Sequence, residues 1–209
     1  MGRGSSKGKG GGMNPADIVS TSDMLSNSAK FPKEANDVMN VAQELEEMYG
    51  DSGVIFQFQT AELKGSSKNT VMAYYDGKNI AINENYMDTA KMTAAYDNCV
   101  KSGYHPGRGD RTAMEATAAH EFGHALSDAA AKKMGLPNLD QASTRILQEA
   151  RKQTSHRGIN QMASKISGYA QQSHAEAVAE AFADVFCNGN KAKAESQAIV
   201  NVLNGYVRK

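Results

Sequence analysis

One predicted helix constrains the fold more than any other part of the sequence. Thr112 begins this helix, with Glu115 at the spacing of a capping box, and Gly135 followed by Pro137 ends it. Small side chains recur along it, at Ala116, Ala118, Ala119 and Ala125. Because alanine lets a neighbouring element approach closely, the sequence predicts a long helix with tightly packed neighbours on several sides.

The same helix carries a motif with chemical meaning, His120-Glu121-Phe122-Gly123-His124. Residues four apart project from one face of a helix, so the two imidazoles can bind one ion from a rigid platform. Neutral imidazole is a good zinc ligand, and Glu121 can act as general base on a water whose pKa zinc lowers. The sequence therefore predicts a zinc centre. The alternative is that both histidines are ordinary helix residues, although the well-capped, apolar context favours the metal.

A catalytic zinc site needs a third protein ligand, and a stripe of carboxylates on a later predicted helix supplies candidates. Glu176, Glu180 and Asp184 recur every fourth residue on a segment that is otherwise almost entirely apolar. Burying such a stripe is costly unless positive charge meets it. Two registers remain open: Glu176 as ligand with Glu180 behind it, or Glu180 with Asp184. Alternatively, Glu176 caps its own helix through Ser173 and the other carboxylates face water.

The remaining pattern predicts an α+β fold. An amphipathic helix runs from Pro32 to Gly50, and three strands follow at 54–59, 71–75 and 80–83. Asp76-Gly77 predicts a hairpin between the last two strands. The small three-stranded sheet is expected to pack on the motif helix. The rest of the chain is mainly helical. Met92, Ala95, Tyr96 and Cys99 line one face of a first segment, and further helices are predicted at about 139–153, 173–187 and 191–206.

Residues 1–28 are rich in glycine, serine, asparagine and lysine, which predicts a disordered arm before a single domain at 29–209. The formal net charge is zero, and no basic stripe is visible, so a nucleic-acid partner is not expected. No run approaches the roughly 18 apolar residues that a membrane helix needs, and no apolar segment follows the N-terminus as in a secretory signal. We therefore expect neither a membrane partner nor a signal peptide.

Two stretches carry a resemblance to known peptidases: His120–Leu126 (HEFGHAL) and, farther along, Tyr169-x6-Glu176-x3-Glu180-Ala-Phe. Together they resemble the anthrax lethal factor type of catalytic domain and the Pro-Pro endopeptidases. They resemble most closely the zincin-like peptidases associated with phage head-morphogenesis genes. The resemblance implies a zincin-like fold in which Glu176 is the third Zn²⁺ ligand and the Tyr169 hydroxyl stabilises the oxyanion. It also implies that Glu180 orients a ligand histidine. Ser173-His174 departs from the pattern, since relatives often carry an asparagine-led acidic turn there.

These features together predict a zinc-dependent endopeptidase, encoded by a phage or mobile element and found in the bacterial cytoplasm or on the virion. A peptide or protein substrate is expected to bind along the sheet edge at the Asp76-Gly77 hairpin. One alternative is a catalytically silent zinc-binding module of a phage particle. Another is a helical toxin or DNA-associated protein with incidental histidines. His156 and His174 are predicted to be structural. His105, close upstream of the motif helix, is predicted to be a structural loop histidine, and the alternative is that it lines the cleft.

Overall fold

The computed structural model describes residues 5–7, 13–54 and 56–208, and the fold in this part of the chain is α+β. The helices are α1 Pro32–Tyr49, α2 Ser67–Thr70, α3 Thr89–Lys101, α4 Ala113–Met134, α5 Leu139–Arg151, α6 Ile159–Ile166, α7 His174–Asn188 and α8 Ala194–Val207. The strands are β1 Ser5–Lys7, β2 Ile18–Asp23, β3 Gln57–Leu63, β4 Val71–Tyr75 and β5 Asn79–Asn83. They form one small mixed sheet in the order β1-β4-β5-β3-β2, in which only β3 and β5 run parallel.

The predicted hairpin is confirmed, because β4 and β5 pair antiparallel across the turn at Asp76-Gly77. Gly77 takes the left-handed conformation, with φ of 100°. Asp76 closes the turn with its side chain, which accepts hydrogen bonds from the backbone N–H groups of Lys78 at 2.8 Å and Asn79 at 2.7 Å. This turn is local in sequence, which is why the pattern alone could predict it.

In the part of the chain that the structure describes, the sheet has five strands rather than the predicted three. Part of the segment 1–28, which was predicted to be disordered, belongs to the folded domain. β2 lies within residues 1–28 but pairs antiparallel with β3, and Met24 just after it is buried. β3 also begins and ends later than the predicted strand at 54–59. Composition missed β2 because its order comes from backbone pairing with a distant strand rather than from apolar side chains. Residues 1–4 and 8–12 of the predicted arm lie outside the described residues.

The sheet edge that the hairpin was expected to expose is not free in this structure. β5 lies between β4 and β3, and the outer side of β4 pairs antiparallel with β1. β1 also contacts α4, so this edge lies beside the motif helix. Within the described residues the two outer strands are therefore β1 and β2.

Helix α4 is the centre of the fold. It contacts α7, α5, α8, α1, α3 and β4. The predicted capping box is confirmed, because Thr112 accepts from the N–H of Glu115 at 3.1 Å and the Glu115 carboxylate accepts from the N–H of Thr112 at 2.7 Å. Gly135 ends the helix with φ of 67°. Helices α1, α3, α5, α7 and α8 match the prediction, whereas α2 and α6 were not predicted. None of the helices in the described residues is long and apolar enough to cross a membrane.

Helices α4 and α7 approach each other closely at Gly123. A Cβ atom built on Gly123 would lie 2.8 Å from Cα of Ala179 and 3.1 Å from Cβ of Phe182. The first of these neighbours is backbone, which cannot move without shifting α7 itself. The glycine of the motif therefore sets the spacing between the two helices.

We expect Gly123→Ala to destabilise the protein by about 1–3 kcal/mol, because the added methyl forces α4 and α7 apart. Gly205→Ala is the matched control, since Gly205 lies in α8 with open space around its Cβ position. That change should stabilise the helix by about 0.5 kcal/mol. Urea unfolding of both variants measures the difference, and equal stability of the two would contradict the close packing at Gly123.

Candidate metal centre

Three side chains from two helices converge at one point in the core. His120 and His124 come from successive turns of α4, and Glu176 comes from the first turn of α7. One ligand atom from each lies within 4.8 Å of the others, and all three residues are buried. Glu176 Oε2 lies 3.1 Å from Nε2 of His120 and 3.3 Å from Nε2 of His124. The predicted pair of histidines is therefore joined by the carboxylate that the family resemblance implied.

The start of α7 places Glu176 in this position. Ser173 caps the helix, since its hydroxyl accepts from the N–H of Glu176 at 3.1 Å. The Glu176 carboxylate contacts the two imidazoles and accepts a hydrogen bond from the Tyr169 hydroxyl at 3.1 Å. Only the backbone of Glu176 therefore takes part in capping, and its side chain lies among the predicted ligands.

The other two carboxylates of the stripe have different surroundings. Glu180 lies behind the first histidine, with Oε1 2.8 Å from Nδ1 of His120, although the N–H does not point straight at this oxygen. Asp184 is bound elsewhere, to the side-chain amide of Asn188 at 2.9 Å and the backbone N–H of Lys193 at 3.0 Å. Of the two open registers, the geometry favours Glu176 beside both imidazoles with Glu180 behind it.

The two residues assigned to chemistry, Glu121 and Tyr169, lie in the same buried region. The ring of Tyr169 stacks on that of His120, with centroids 5.7 Å apart and an interplanar angle of 20°. Burial raises the pKa of Tyr169 far above its usual value, and the charges of Glu176 and Glu121 raise it further. The carboxylate of Glu121 is completely buried, and its charge is close enough to the Tyr169 hydroxyl to affect the pKa of that group.

The electrostatics of the site favour positive charge beside the two buried carboxylates. Burial by itself would raise the pKa of Glu176, but the charge of His124 and a hydrogen bond from His120 lower it overall. Burial likewise opposes the ionisation of Glu180, yet His105 and His120 lower its pKa to about 2. Burial disfavours the imidazolium form of His120, but Glu176 and Glu180 raise its pKa well above the usual value. The two glutamates are thus held as carboxylates. Glu176 lies where it can stabilise a cation at the Nε2 atoms, and Glu180 stabilises positive charge on His120 from the other side of its ring.

The donor set fits a zinc ion. Two imidazole nitrogens and one carboxylate oxygen are typical ligands of a catalytic zinc site, which keeps one further position for water. The ring of His124 is fully buried; within the described residues its Nδ1 has no hydrogen-bond partner, and its Nε2 has only the poorly aligned contact with Glu176 at 3.3 Å. An unsatisfied buried polar group costs about 1–3 kcal/mol. A metal ion bound at Nε2 would remove that cost at one of the two nitrogens.

Sequence reasoning missed Ser167 at this site and favoured a structural role for His105 over a place in the cleft. His105, predicted to be a structural loop histidine, is buried with Nδ1 3.0 Å from Oε1 of Glu180, and Ser167 donates to the other oxygen of Glu180 at 2.7 Å. Neither residue is related to Glu180 by the three- or four-residue spacing of a helix, so helical periodicity could not indicate them. The other two predicted structural histidines lie outside the cluster: His156 contacts Glu195, and His174 contacts Thr144.

Comparison with known proteins adds no relative. No protein-family model matches the chain, and no match was found among curated proteins or among solved structures.

Proposed function

We propose that this protein is a zinc-dependent endopeptidase. The observation that carries the proposal is the convergence of His120, His124 and Glu176, whose ligand atoms lie within 4.8 Å of one another beside a fully buried Glu121. A buried carboxylate next to a set of zinc ligands is the arrangement that a general base of metal-assisted hydrolysis requires. The resemblance of the two motifs to zincin-like peptidases points to the same reaction and to a phage or mobile-element origin.

Each residue of the proposed site has a distinct role. When bound, zinc supplies Lewis-acid chemistry, polarising the scissile carbonyl and lowering the pKa of water. Glu121 takes a proton from the attacking water and passes it to the leaving amine. Tyr169, whose raised pKa keeps it protonated, would exchange its hydrogen bond to Glu176 for one to the oxyanion.

Access to the site needs a change in this conformation. His120, Glu121 and His124 are at most 2% exposed, and Glu176 is 7% exposed. A polypeptide therefore cannot reach the scissile position in the arrangement observed. The edge of β4, along which a substrate strand would add, is already paired with β1. We infer that residues 5–7 compete with a substrate for this edge.

Deleting residues 1–12 is expected to lower KM for an extended peptide by about three- to tenfold, because a tethered competitor is present at high effective concentration. Ser6→Pro serves as a matched variant of full length, since proline has no N–H to donate to the strand ladder. It should shift KM in the same direction. Steady-state kinetics on all three chains measures the effect, and an unchanged KM in both variants would show that substrate binds elsewhere.

The deep burial of the cluster favours one second candidate, a catalytically silent zinc-binding module. One experiment separates the two. Purified protein is assayed for bound metal and then incubated with a peptide library, with and without a chelator. An endopeptidase contains stoichiometric zinc and gives cleavage that the chelator abolishes. Stoichiometric zinc with no cleavage, even after removal of residues 1–12, supports the silent module, and absence of zinc contradicts both.

A further inference from the structure

We propose that His105 is a positioning residue of the metal centre, which acts through Glu180 on the ligand His120. The inference rests on the proposed metal site and extends it beyond the residues that the sequence motifs contain. His105 lies in the loop between α3 and α4, far in sequence from Glu180 on α7. Only the tertiary structure brings the two together.

Glu180 is held between two imidazoles and a hydroxyl. Its Oε1 lies 2.8 Å from Nδ1 of His120 and 3.0 Å from Nδ1 of His105, and its Oε2 accepts from Ser167 at 2.7 Å. Because Glu180 is 1% exposed, bulk solvent does not reach these contacts. The direction of the carboxylate, and with it the orientation of the His120 ring, is therefore set by what His105 and Ser167 provide.

His105 is itself rigidly held. Its ring stacks on Tyr96, with centroids 5.3 Å apart and an interplanar angle of 13°. It meets the rings of Tyr104 and Tyr169 edge-on, each with centroids 5.3 Å away. Its backbone N–H donates to the carbonyl of Cys99. A side chain fixed on three sides can hold a carboxylate in one orientation, which a solvated histidine could not.

The loop that carries His105 is also joined to the segment that carries Tyr169. The carbonyl of Gly103 accepts from the N–H of Gly168 at 2.8 Å, and the carbonyl of Tyr104 accepts from the N–H of Tyr169 at 2.9 Å. These two bonds resemble a short piece of strand pairing. The same loop therefore orients a metal ligand through Glu180 and holds the backbone of the proposed oxyanion donor.

A purely structural role is a weaker account of this histidine. Its Nε2 is buried without a hydrogen-bond partner within the described residues, so half of its polar capacity is unused. An apolar ring would pack against Tyr96 and Tyr104 without that cost. What the imidazole adds is a polar contact with Glu180 at Nδ1.

The test compares His105→Asn with His105→Leu, two side chains of similar shape that differ in the ability to donate a hydrogen bond. The amide nitrogen of asparagine can reach the position of Nδ1 and donate to Glu180, whereas leucine removes this hydrogen-bond donor. Zinc affinity is measured by competition with a chromophoric chelator, and kcat and KM are measured on the same samples. We expect His105→Leu to weaken zinc binding by about 10–100-fold and to lower kcat with little change in KM. His105→Asn should stay close to the wild type.

Two results would overturn the proposal: zinc affinity in His105→Leu equal to the wild type, or equal losses in the leucine and asparagine variants. His105→Phe keeps the stacked ring and takes the place of the leucine variant if that chain does not fold by circular dichroism. Failure of the proposed function can be distinguished from failure of the His105 proposal, because in the first case the wild-type chain itself would bind no zinc or cleave no peptide.

Discussion

Glu121→Gln is expected to abolish peptide cleavage while leaving zinc bound. Glutamine has nearly the same shape as glutamate but cannot take a proton from water at neutral pH, so the change removes the general base alone. Such a base contributes about 10²–10⁴-fold, and we expect kcat to fall by that factor. Zinc stoichiometry should not change, because the ligand atoms belong to His120, His124 and Glu176.

Glu115→Gln is the matched control for this prediction. Glu115 lies on the same helix and closes the capping box, a role that glutamine also fills. Its kcat should equal that of the wild type. If Glu121→Gln retains kcat within about tenfold of the wild type while binding zinc, another group acts as the base and the assignment of Glu121 is wrong.

The second large effect is expected from Glu176→Ala, which removes the carboxylate that lies beside both imidazoles. Partners outside the ligand set typically alter metal affinity by about 10–100-fold, and we expect the loss of a ligand to exceed about 100-fold. Glu180→Ala should fall within the smaller range, since Glu180 contacts His120 on the ring nitrogen that faces away from Glu176.

Asp184→Ala completes this series as the control. It belongs to the same carboxylate stripe, but it binds Asn188 and the backbone of Lys193 and takes no part in the cluster. Its zinc affinity should match that of the wild type in competition titrations of the folded protein. A larger loss in Glu180→Ala than in Glu176→Ala would move the ligand to Glu180 and contradict the register proposed above.

Some features of this protein could be predicted because they are local in sequence. The capping box at Thr112, the hairpin turn at Asp76-Gly77 and the pairing of His120 with His124 on one helical face each depend on residues within a few positions of one another. Helical periodicity also indicated α5, α7 and α8, since a repeating apolar face is visible without knowledge of what covers it.

Other features depend on contacts between distant segments, which no local pattern records. β2 is ordered by its pairing with β3, and β1 pairs with the edge that the hairpin was expected to leave open. The parallel pairing of β3 with β5 likewise has no signal in either strand.

For the candidate site, the sequence by itself determined the motif on α4 and a stripe of three carboxylates as candidates for the third ligand. Which carboxylate meets the imidazoles was decided by the way α7 crosses α4 at Gly123, because that packing directs Glu176 and Glu180 to opposite nitrogens of the same ring. The sequence left two interpretations of His105 open, and the fold of its loop decided that it lies beside Glu180. The two histidines of the candidate centre could be predicted because one helix carries both. The carboxylate that meets them could not, because its position depends on how two separate helices pack.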